Sequence, residues 1–182
     1  MPIQSVSRLD AAARQLHMAI LLYFQDADPL GVHTLAGAAH GILKDLARKH
    51  GHESVQSTGA GVQSHQLAFV MSMINKAKRF LKHVDSDPED VSTFNPDWTD
   101  FLLFDAIQMH LRLTTTLDHA DIIFLVWLSS KYPGVLHLDT TILGANASEF
   151  RRIFPTLGAM GEKKRIFLAA LNDKSTHLPY SR

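Results

Sequence analysis

The chain has 182 residues, 46% hydrophobic and 20% charged, which suits one folded domain with a sizeable core and excludes disorder along its whole length. Its 18 Lys and Arg balance 18 Asp and Glu, so no overall field draws it to nucleic acid or to a membrane surface, and any electrostatic recognition must come from a local patch. Cysteine is absent, which rules out a disulfide framework, thiolate catalysis and sulfur-ligated zinc.

Met1–Leu9 lacks a basic flank followed by an apolar stretch, so no secretory signal is expected. A first helix is predicted over residues 8–25. Ser7 is placed to cap it, Asp10 sits at its third position, and Leu9, Ala13, Leu16, Ile20 and Phe24 form the buried stripe. Asp28-Pro29 starts a second helix, because Asp accepts from free N–H groups and Pro loses nothing at the first helical position. Gly51 ends it, and Leu35, Ala39, Ile42 and Leu46 are assigned to its inner face. His33 and His40 lie along this helix among Ala36, Gly37, Ala38, Ala39 and Gly41, small residues that let a neighbour come close.

Residues 51–63 read as a mobile loop, followed by a helix over 64–83 and an acidic connector over 84–94. Asn95-Pro96 repeats the cap-then-proline start and opens a helix to about Thr115. Its FLLFDAIQMHL stretch leaves little room for a polar face, so this helix is expected at the centre. Asp118 caps a helix over 119–131, whose Ile122–Leu128 run is the longest strongly apolar one and far short of the roughly 20 residues that cross a bilayer. Shorter helices are predicted over 148–154 and 161–171, with a tail over 176–182. The fold class is therefore all-α: a single helical domain over 1–182, a bundle of four to five long helices with short additional C-terminal helices. A cytoplasmic protein with no membrane contact is expected.

Three groups of residues carry chemical potential. The first is Asn75–His83, where Lys76, Lys78, Arg79 and Lys82 concentrate positive charge at a helix end beside His83. Such an end suits phosphate and proton transfer, although cations at a helix C-terminus also simply complement its dipole. The second is Asp105, a carboxylate on an apolar helix that must face a cleft, pair with a cation or histidine, or sit in a buried hydrogen bond. The third is the histidine supply: His17, His33, His40, His110 and His119 all fall on predicted helices. His33 and His40 are seven positions apart, too far to grip one ion together, and no Glu-x-x-His occurs. No metal ligand set and no cofactor are assigned on this basis. A phosphate-binding glycine loop, a dinucleotide fingerprint and a nucleophile elbow are all missing.

The long helices with Arg79-Phe80-Leu81-Lys82-His83 at the end of one of them resemble the HEPN class of small helical domains, although the gap between Arg79 and His83 is shorter than that family's. The resemblance implies a dimer that binds or cleaves RNA. It casts Arg79 as the phosphate holder, His83 as the proton carrier, and Asp105 or His40 as the group that orients it. The leading expectation is a non-catalytic helical interaction protein, working through a protein partner or as a homodimer. An RNA-binding or RNA-cleaving HEPN-like domain, using Arg79, His83 and Asp105 with Lys78 and Lys82, is the alternative. The second alternative is a small-molecule or metal-binding bundle lined by His33, His40, Asp105 and His110.

Overall fold

The computed structural model describes residues 3–54, 58–59, 61–82, 94–136 and 151–173, the side chains of 77–82 excepted. The chain is all-α, and among the described residues the only extended pairing is a single antiparallel bridge between Val62 and Leu136. Six helices carry the architecture of those residues: α1 (Arg8–Phe24), α2 (Pro29–Lys49), α3 (Leu67–Lys82), α4 (Asp97–Thr114), α5 (His119–Lys131) and α6 (Met160–Asn172). One-turn 3₁₀ segments at Ser64–Gln66 and Phe154–Thr156 complete them.

Local chemistry places the helix ends. The Ser7 hydroxyl accepts from the Asp10 N–H, and the Asp28 carboxylate accepts from the Leu30 and Gly31 N–H groups. Asn95 Oδ1 accepts from the Asp97 N–H at the start of α4. Gly51, at φ 75°, supplies the left-handed residue after α2. Thr115 takes the same conformation after α4, at φ 62°, and its N–H closes on the Leu111 carbonyl.

The inner face of α2 differs from the one that aliphatic size suggests. Val32, Ala36, Ala39, Leu43 and Ala47 are buried, while Leu35 and Ile42 are only partly covered at the flanks. Alanines face inward because α1 comes close, presenting Ala12, Leu16, Ala19, Ile20 and Tyr23. On its other side α2 packs against α4, which also receives α3 through Val70 and Ile74.

The helix expected to be the hub, α4, is buried without interruption from Thr99 to Ile107. It shares that position with α5, whose residues Asp121 to Ser130 are all buried. Trp127 gathers the aromatics of three segments: Tyr23 and Phe24 of α1, Phe154, and Phe167 of α6, with ring centroids 5.2–5.9 Å away. Its indole N–H donates to the Tyr23 hydroxyl. Phe167, the one buried side chain of α6, stacks on Phe24 and docks that helix.

The 51–63 segment has more structure than a bare loop. Ser54 and Val62 are buried, Gln63 N–H donates to the Val135 carbonyl, and Arg112 donates to the Glu53 carbonyl. The acidic connector (apart from Phe94), residues 148–150 of the expected 148–154 helix and the expected C-terminal tail lie outside the described residues, while 151–153 are helical as expected.

Candidate metal centre

Several polar groups of the core pair across helices. His33 Nδ1 lies 2.9 Å from the Thr99 hydroxyl, and about two turns further along the same two helices His40 Nε2 lies 2.9 Å from Asp105 Oδ2. Both imidazoles of α2 thus face α4, which sets the rotation of one helix against the other. At the far ends of α4 and α5, Lys131 Nζ bridges Asp97 and the wholly buried Asp100 at 2.7 and 2.6 Å, and the Tyr132 hydroxyl donates to Asp100. Burial pushes the Asp100 carboxyl above its ordinary pKa against the opposing pull of Lys131. Burial draws the Lys131 ammonium down, but Asp100 and Asp97 together outweigh it and hold it above 10.5.

The most reactive arrangement lies at the turn between α4 and α5. There His17 of α1, His110 of α4, and Asp118 and Asp121 at the start of α5 each place one ligand-type atom within 4.8 Å of the others. His110 Nδ1 sits 2.9 Å from Asp121 Oδ2, which also accepts from the Asp118 N–H. His17 Nε2 stands 3.0 Å from Asp118 Oδ2 and 3.9 Å from Asp121 Oδ1. The two rings meet edge to face, with centroids 6.1 Å apart.

Two donor atoms in this cluster have no hydrogen-bond partner although they are buried: His17 Nε2, whose approach to Asp118 is off hydrogen-bond alignment, and Asp121 Oδ1. Asp121 is 0% exposed. A carboxylate oxygen in that state is costly unless something compensates it. Among the described residues no lysine or arginine pairs with either carboxylate; the ion-pair partners are the two imidazoles. Burial works against a charged His110, but the hydrogen bond and charge of Asp121, with Asp118 beyond, raise its pKa above the ordinary value. The compensation is therefore either a proton on imidazole or a divalent cation, which would neutralise both carboxylates with the imidazoles uncharged.

Local sequence places each donor. Asp118 and Asp121 are three apart at a helix start, so they share one face, and that pattern reads equally well as ordinary capping. His110 lies in the last turns of α4, and the short connection to Asp118 folds it back onto α5. His17 comes from the face of α1 next to the core stripe.

The residues singled out from sequence distribute differently. His40 and Asp105 meet, His33 joins Thr99, and of the histidines named from sequence His17 and His110 enter the metal-type cluster. Arg79, Lys78 and Lys82 lie on α3, with side chains outside the described residues; His83 lies outside them altogether. Asp118 and Asp121 carried no site signal in the sequence beyond helix capping, and nothing local joined them to His17, because that convergence spans more than a hundred positions.

The fold and this cluster define an all-α protein with a histidine–carboxylate centre between three helices. No protein-family model, curated protein or solved structure matches the chain. Among the described residues no helix is long and apolar enough to cross a membrane.

Proposed function

We propose that the protein binds one divalent transition-metal ion through His17, His110, Asp118 and Asp121. The observation that carries this reading is the fully buried Asp121, whose Oδ1 lacks a partner while facing His17 Nε2. Two imidazole nitrogens and two carboxylate oxygens are a donor set for a borderline ion such as zinc, iron(II) or cobalt(II), or for the harder manganese(II), and not for a thiophilic one. The ion would tie α1 to the α4–α5 turn, so binding would stabilise the fold as well as serve chemistry.

The test is titration of chelator-treated, untagged protein with zinc, followed by calorimetry and thermal melting. One ion per chain is expected, and at a hundred-fold excess over the dissociation constant it should add about 2.7 kcal/mol of stability. His17→Ala and Asp121→Asn should each abolish stoichiometric uptake. Retention of a full equivalent by both variants, or no uptake by the parent protein, overturns the proposal.

A further inference from the structure

Resting on that reading, we infer that the bound ion keeps coordination room on its Asp118 side for water or a small anion. The centre is graded in burial. The side chains of Asp121 and His110 are 0% and 5% exposed and form its floor, whereas His17 is 35% and Asp118 50% exposed and form its rim. The exposed side of the centre is therefore that of the Asp118 carboxylate, the His17 Nε2 and Asp121 Oδ1 atoms being buried themselves.

The donor set agrees with this: two imidazoles and two carboxylates are four protein ligands, which leave a five- or six-coordinate ion incomplete. Mixed histidine–carboxylate sets with open positions are the kind that bind and activate exogenous ligands, whereas sealed structural sites are four-coordinate and closed. The other buried histidine–aspartate pair, His40 with Asp105, has no such rim: both side chains are within 6% of full burial. The ligand expected at the centre is a small anion with an oxygen or nitrogen donor, approaching past Asp118.

The full chain loaded with cobalt(II) tests this through its visible absorption, first alone and then with increasing sodium azide. A saturable spectral change, with one azide per cobalt, is the expected result. Cobalt bound at one equivalent with a spectrum indifferent to a large azide excess would show a sealed centre and overturn this inference alone. A chain that takes up no cobalt removes both this inference and the metal-binding reading on which it rests.

Discussion

Replacing Lys131 by Met isolates the cost of the buried charge at the other end of α4 and α5. The amine contacts Asp100 at 2.6 Å and Asp97 at 2.7 Å, is only 14% exposed, and is the cation beside a carboxylate with no solvent access. Methionine keeps most of the stem, so packing changes little and the loss is electrostatic. Breaking one side of a buried ion pair costs about 3–5 kcal/mol. For a chain of this size that is a fall in melting temperature of roughly 6–20 °C. Adding Asp100→Asn should recover most of it, since a neutral amide oxygen still accepts from the Tyr132 hydroxyl. The deficit should also depend on pH. Asp100 already has a raised pKa in the native state, and losing Lys131 raises it further. A folded pKa above the unfolded value of about 3.9 means that the folded state binds the extra proton, so the deficit is small in acid and grows as pH climbs through the folded pKa. In the parent protein Lys131 also has a raised folded pKa, so its contribution is complete below 10.5 and is lost as pH rises through that folded pKa. Urea melts of the parent, single and double variants between acid and alkaline pH measure all of this. A double variant as unstable as the single one would refute the electrostatic account and assign the loss to packing.

Two further perturbations probe the rest of the frame. Phe167→Ala removes the one buried side chain of α6, stacked on Phe24 and edge-on to Trp127, at a cost of about 3–5 kcal/mol. Amides of α6 should then exchange faster than those of α5, and equal acceleration in both helices would contradict docking through this ring. Asp105→Ala strips His40 of the carboxylate 2.9 Å away and should cost about 3 kcal/mol, with Asp105→Asn costing less than half as much. A double-mutant cycle with His40→Ala should return a coupling of about 1–3 kcal/mol, and additive losses would show that the pair is not coupled.

Much of the secondary structure is legible one residue at a time. Ser7, Asp28 and Asn95 meet free N–H groups within three positions of themselves, and Gly51 closes α2 by its own backbone freedom. Burial is legible only where size decides it. Trp127 and most of the FLLFDAIQMHL stretch lie inside as their bulk requires, but α2 turns Ala36 and Ala47 inward beside the expected Ala39 and leaves Leu35, Ile42 and Leu46 only partly covered. Which face wins there depends on how closely α1 approaches, and no window along α2 contains that distance.

By itself, then, the amino-acid order determined that this protein is helical, where most of its helices begin, and that α4 lies deep in the core. Those outcomes rest on hydrogen bonds and apolar periodicity that span a turn or two. Only the tertiary structure decided that His110 turns toward Asp121 while His40 turns toward Asp105, and that His17 reaches the same point as Asp118. Their meeting is fixed by the packing of α1 against α2 and α5 and by the fold-back at Thr115–Asp118, interactions between segments that have no local trace.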